Sequence, residues 1–401
     1  MQQETIPVNP TILKWARKEA GLSLQDVVSR AKITPPRPKK DEPKQTAEAR
    51  LAIWEEGSDA PTLNQLEQIA AVYRRPLITF FLSEPPKKVS AVADFRMVQG
   101  KQSVADSPEF AALRRRLALL HQELRALAED SGSLKLSFIG SLSTDTPVDV
   151  FVQNIRTVLD IVDAEKQRCV RDEAGLLTYL RTAAQDAGIY VLFEGNVGSH
   201  HSNISVEEFR GMALTDELAP LIVINPNDTK TAMLFTFVHE LAHLWLGSSG
   251  ISNFNALENN GNYCDNEKLC NNVAAEFLVP ENELRSKWKI PEGTLIQAVD
   301  AVAKNFKVSG AVTGRRLLDV GIIKNQEYGE LLASYKVRWK KRKETQSQTG
   351  GAPEPATMDK FRLGKKTIHT LISAAQDGRI GLQDAARLMN IPVSRFEKVM
   401  R

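Results

Sequence analysis

The chain has three cysteines in 401 residues, an odd number that excludes a closed disulfide framework and agrees with a reducing compartment. No apolar run approaches the roughly 20 residues that a bilayer crossing needs. The opening MQQETIPVNP has neither the basic nor the apolar segment of a secretion signal. A cytoplasmic protein with no membrane partner is the expectation. Excess charge of one sign is also lacking: 52 Lys and Arg against 49 Asp and Glu leave a formal net charge of +3. That is too little for the whole chain to announce nucleic-acid binding, so local clusters have to carry that question. Histidine is scarce as well, with six in the chain.

Two of those six frame the most informative stretch, Thr229 to Gly247, TKTAMLFTFVHELAHLWLG. His239 and His243 are four apart, which on an α-helix puts both imidazoles on one face, one turn apart, able to share one metal ion. Glu240 follows the first histidine, from where its carboxylate can reach a water on that ion without being a ligand, the arrangement H-E-x-x-H chemistry requires. Met233, Leu234, Phe235, Phe237, Val238, Leu241, Leu244, Trp245 and Leu246 make the helix apolar nearly all round and predict that it is buried. Ionisable groups buried there are costly without partners, and a bound cation would be one. The alternative is a pair of core histidines satisfied by hydrogen bonds.

A catalytic zinc site has three protein ligands and an open position, so a third side chain is required. Glu258, Cys264, Asp265, Glu267, Cys270 and Glu276 are the choices nearby. Glu267 and Glu276, nine apart, lie about 180° from each other around a helix, so both cannot face one ion. Glu267, near the start of a helix and 24 residues beyond His243, fits a His, His, Glu set. Helix starts also favour carboxylates for their own sake, and Cys264 or Cys270 would give a site more structural in character. Cys169 reads as a small buried residue. Tyr263, His200 and His201 are candidates to stabilise an oxyanion.

Upstream, ILKWARKEAG and SLQDVVSRA read as two helices, with Ser23 capping the second. A third helix ends at Trp54-Glu55-Glu56-Gly57, and a fourth opens with a Thr62, Gln65 capping box. Such an opening resembles a Cro/repressor-type helix-turn-helix domain. The segment TPPRPKKDEPKQT separates its second and third helices, where that fold has a turn of about 3 to 4 residues. Arg30 to Arg50 carry seven Lys and Arg against three Asp and Glu, so Arg37, Lys39, Lys40, Lys44 and Arg50 are the candidate contacts to double-stranded DNA. Residues 107 to 130 read as one long amphipathic helix with His121 at its surface. Strand-like segments at 189 to 193, 209 to 215 and 221 to 225 precede the histidine helix, and the Gly, Ser and Asn-rich residues after Gly247 read as a surface loop. KVRWKKRKE at 336 to 344 is a basic run beside a flexible linker, and further helical hairpins lie at 299 to 321 and 382 to 400.

HELAHLWLG followed by NEKLCNNVAAEFLVP resembles the ImmA/IrrE family of regulatory metallopeptidases. The resemblance extends to the N-terminal helices, to Trp54-Glu55-Glu56-Gly57, to Asp94-Phe95-Arg96 and to LIVIN before the histidine helix. It implies a zinc ion held by His239, His243 and Glu267, with Glu240 as catalytic base. It also implies an endopeptidase that regulates transcription by cleaving a repressor or antitoxin-like partner, with DNA binding as a second capacity. The competing reading is a DNA-binding regulator whose peptidase-like domain is a sensor or scaffold. The expected fold is α+β, mostly α, and the expected domains are as follows: 1–86 helix-turn-helix, 87–165 helical connector, 166–290 zincin-like peptidase with a small sheet, 291–345 helical region, 346–357 linker and 358–401 C-terminal helices.

Overall fold

The computed structural model describes residues 5–35, 45–86, 107–161, 170–198, 202–248, 250–252, 265–289, 293–345 and 354–400. The fold is α+β with helix predominating, as expected. Its described residues form two compact units, one drawn from 1–93, 101–118 and 196–204, the other from 94–100, 119–195 and 205–401.

The first unit is built on α1 (Pro10–Glu19), α2 (Leu24–Arg30), α3 (Ala47–Glu56) and α4 (Leu63–Tyr73), followed by a 3-10 turn at Leu77–Phe81. Each helix starts where a side chain can take an orphan amide. Asn9 accepts from Thr11, Ser23 and Asp26 form a capping box, Thr46 accepts from Ala49, and Thr62 and Gln65 form a second box. Ile12, Leu13, Val27, Leu51, Trp54, Leu66, Ile69 and Phe80 fill the core. Across it Arg17 holds Glu55 with two bonds of 2.6 and 2.7 Å, a bidentate pairing that fixes α1 on α3. The Asn9 amide bonds the carbonyls of Leu82 and Ser83, tying the start of α1 to the residues after the 3-10 turn. Residues 36 to 44 of the segment between α2 and α3, and Asp94-Phe95-Arg96, lie outside the described residues.

The second unit is organised around the histidine helix. Before it come α5 (Pro108–Asp130, from Leu119 onward in this unit), α6 (Val148–Val158) and α7 (Glu173–Asp186). The sheet comprises β1 (Tyr190–Phe193), β2 (Gly211–Leu214), β3 (Leu221–Ile224) and β4 (Gly250–Ser252), in the order β1-β3-β2-β4. β1 and β3 are parallel, and the other two pairings are antiparallel. The three predicted strands are present. β4 falls in the stretch expected to be loop, because three residues carry no periodicity of their own and its pairing comes from β2, some 40 residues upstream.

Between β3 and β4 runs the histidine helix α8 (Lys230–Leu246), capped by Thr229 and ended by Gly247 in the left-handed region at φ 67°. Its last carbonyls are not left bare: those of Leu244 and Trp245 accept from the amides of Gly140 and Leu142, 3.0 and 3.1 Å away. Trp245 stacks on Phe138 and donates to Asn154. Beyond β4 follow α9 (Asp265–Leu278), α10 (Glu281–Lys287), α11 (Leu295–Phe306), α12 (Gly310–Asp319) and α13 (Asn325–Thr345).

His121 on α5 is half-buried, not at the surface as its charged neighbours suggest. It stands four residues after buried Leu117 and three before buried Leu124, so it shares their helix face. Burial pushes its pKa below the usual value of 6.5, against the opposing pull of Asp216. Below pH 6.5 the unfolded chain therefore takes up a proton that the folded chain resists, and stability falls as pH drops from there. Urea melts of wild type and His121→Gln across pH 5 to 7.5 are expected to show that fall in the wild type and a flatter profile in the variant.

The C-terminal helices α14 (Pro355–Leu363), α15 (Lys365–Gln376), α16 (Leu382–Leu388) and α17 (Phe396–Met400) belong to the second unit. The chain sequence suggests a segment apart behind a linker, yet α14 and α15 pack on β1, the outer strand on that side of the sheet. Phe361 stacks on Phe193 at 4.8 Å, and Tyr190 meets Thr370. Arg362 pairs with the fully buried Glu194 at 2.5 Å and bonds the Met389 carbonyl. Arg181, its pKa pushed down to about 9 by burial, bonds the carbonyls of Val191 and Phe361. Arg362→Met removes the positive partner of a carboxylate that has no access to water, a loss of about 3 kcal/mol or more. A thermal or urea melt checks this; an unchanged midpoint would show that the pair contributes nothing.

Candidate metal centre

α8 is buried because its apolar residues cover nearly its whole circumference, and the burial extends to three of its four ionisable groups, Lys230 in the first turn being exposed. His239 is 2% exposed, His243 4% and Glu240 0%. The four-residue spacing brings the two Nε2 atoms within 3.0 Å of each other. The third group comes from α9, which crosses α8 and carries Glu267 in its first turn. One carboxylate oxygen of Glu267 lies 3.2 Å from Nε2 of His239, and the other lies 3.3 Å from Nε2 of His243.

These separations test whether a metal fits. Four ligands at about 2.0 to 2.1 Å around a tetrahedral zinc ion stand about 3.3 Å from one another. The three distances here are of that size, and the donor set of two imidazoles and one carboxylate is of the kind zinc takes. Among the described residues this is the group of His, Cys, Asp and Glu side chains placed to hold an ion. Burial alone would raise the Glu267 carboxyl, but hydrogen bonds and charge from the two histidines outweigh it and hold the group well below the usual carboxylate range.

The outer nitrogens of both rings are also engaged. Nδ1 of His239 lies 2.9 Å from Oδ1 of Asn271, and Nδ1 of His243 lies 3.0 Å from Oγ of Ser248. Glu240 faces the sheet, where Gly211 at the start of β2 comes so close that an added Cβ would stand 2.6 Å from its Oε1.

Of the other candidates for the third position, Glu276 is tied to Arg316 and to the amide of Glu281. Cys270 is buried in the hydrophobic core, and Asp265 is exposed. Glu258, Tyr263, Cys264, His200, His201 and Cys169 lie outside the described residues, as do Arg37, Lys39, Lys40 and Lys44. Arg50 is described: it bonds the Thr34 carbonyl at 3.1 Å and lies over the Trp54 ring. Sequence reasoning missed Asn271, Ser248 and Gly211. Asn271 could have been found as the residue one turn after Glu267 on the same helix face. Ser248 and Gly211 carry no such signal.

Residues 184–318 match the model of a peptidase family described as the IrrE N-terminal-like domain. The match spans one third of the chain, takes in β1 to β4, α8 and α9, and supports a metallopeptidase-type function for this region. Comparison with curated proteins gives no match. Among the described residues no helix is long and apolar enough to cross a membrane.

Proposed function

We propose that this chain is a zinc endopeptidase that cleaves a partner protein, a transcriptional repressor or antitoxin-like regulator. The observation that carries the reading is the convergence of His239, His243 and Glu267 at ligand separations, with Glu240 buried on the same helix inside a region that matches a peptidase family. The choice of partner rests on the family resemblance of the sequence.

In this reading the zinc ion, when bound, supplies the Lewis acidity that activates water and polarises a peptide carbonyl. His239, His243 and Glu267 would hold it. Glu240 accepts the proton of the attacking water and returns it to the departing amine. Its burial excludes competing solvent and keeps the carboxylate where the proton has to go. In this reading an extended peptide adds by backbone hydrogen bonds along β4, the outer strand beside β2 among the described residues.

The test is to recover the partner with the Glu240→Gln form and to sequence the fragments that the wild type makes from it. One cut site, absent with Glu240→Gln and with His239→Ala, is the expected outcome. Intact partner after incubation with the zinc-loaded wild type would leave the chain a binding regulator.

A further inference from the structure

We infer that Asn271 and Ser248 are positioning residues that set the metal affinity of the centre, and that as neutral acceptors they make its zinc more readily exchanged than carboxylates in their places would. The inference rests on the reading of His239, His243 and Glu267 as zinc ligands.

An imidazole that turns the lone pair of Nε2 toward an ion must carry its proton on Nδ1, and that N–H must be given an acceptor. Both rings satisfy this with a specific side chain. With the proton on Nδ1, His239 donates to the Oδ1 of Asn271 at 2.9 Å, the assignment that zinc on Nε2 requires. In the same tautomer His243 donates to the Oγ of Ser248 at 3.0 Å. Neither placement is incidental. Asn271 follows Glu267 by one turn, so a single face of α9 supplies the ligand to one side of the His239 ring and its orienting group to the other. Ser248 follows the left-handed Gly247, and its own amide bonds the carbonyl of His243 at 3.1 Å. That 6→1 turn brings the hydroxyl back onto the ring of the residue whose backbone it also holds.

Both acceptors are uncharged. A carboxylate on Nδ1 draws the ring toward imidazolate, raises its basicity toward the metal and adds a negative charge beside a dication. An amide or a hydroxyl orients the ring through a neutral hydrogen bond, raises its basicity less and adds no charge. The ligand set itself contributes one negative charge, from Glu267. Affinity is therefore supported by Asn271 and Ser248, but less than carboxylates in their places would support it.

The experiment is a competition titration of zinc between a chromogenic chelator and the full-length apo protein at pH 7.5, with thermal melts of each apo form alongside. The wild type is expected to bind one zinc and His239→Ala none at that affinity. Asn271→Asp is expected to bind about tenfold more tightly than wild type, and Asn271→Leu about 10- to 100-fold more weakly. Ser248→Ala, a change in a half-buried turn that the fold tolerates, is expected to weaken binding about tenfold and keeps the inference exposed should Asn271→Leu not fold. A purely structural role would move the melts without the Asp, Asn, Leu order in affinity. Unchanged or weaker binding by Asn271→Asp, with normal binding by wild type, overturns the inference and leaves the zinc site standing. Failure of the wild type itself to take up zinc overturns both.

Discussion

Glu240→Gln is expected to retain one zinc per chain and to lose about 10²- to 10⁴-fold in cleavage of the partner, the usual contribution of a positioned general base. Gln has the shape of Glu and can still hydrogen-bond, so α8 keeps its packing and the three ligand side chains are untouched. What it cannot do is accept a proton. Because Glu240 is wholly buried, no solvent carboxylate or hydroxide can take over that step. Metal analysis and cleavage rates measured on the same preparation separate the two effects. Turnover at the wild-type rate would remove Glu240 from the chemistry, and loss of zinc together with activity would make it part of the metal's support instead.

Gly211→Ala is expected to lower cleavage by about 10²-fold with zinc binding intact. The new Cβ would stand 2.5 Å from Cγ2 of Thr236, 2.6 Å from Oε1 of Glu240 and 3.0 Å from its Cγ. The strand cannot retreat, because Gly211 is paired with Ile224 of β3 on one side and Ser252 of β4 on the other. Thr236 and Glu240 sit one turn apart on the face of α8 that meets β2, so the softer of the two gives way, and that is the carboxylate. A displacement of about 1 Å at a reacting group is enough for a loss of that size. His239 and His243 point elsewhere on the helix and are spared. Rates and zinc content of Gly211→Ala check this, and wild-type cleavage by the variant would show that the space beside Glu240 is not needed.

Much of the site was open to reading before any fold was known. The His239 and His243 spacing, the adjacent Glu240 and the apolar surroundings are all properties of one helix, and a helix writes its faces into the sequence every three to four residues. The same periodicity put Glu267 and Glu276 on opposite sides of α9 and so made them alternatives. The helix starts of the first unit were legible for a similar reason, since a cap is an interaction between residues three apart. β4 was not legible, nor was the packing of α14 and α15 on β1, because each is a pairing between distant segments that has no local period.

The residues themselves determined which helix carries the metal-binding face, where the helices begin, and that the chemistry on offer is that of two imidazoles and a carboxylate. Tertiary structure alone decided that Glu267, and not Cys270 three residues on, meets those imidazoles: the rotation of α9 against α8 turns the thiol into the core and the carboxylate toward the rings. It also decided that Asn271 and Ser248 hold the rings from behind and that a glycine leaves room for Glu240. Hydrogen bonds within a turn are chosen by neighbours in the chain, whereas contacts between segments are chosen by how their buried surfaces fit.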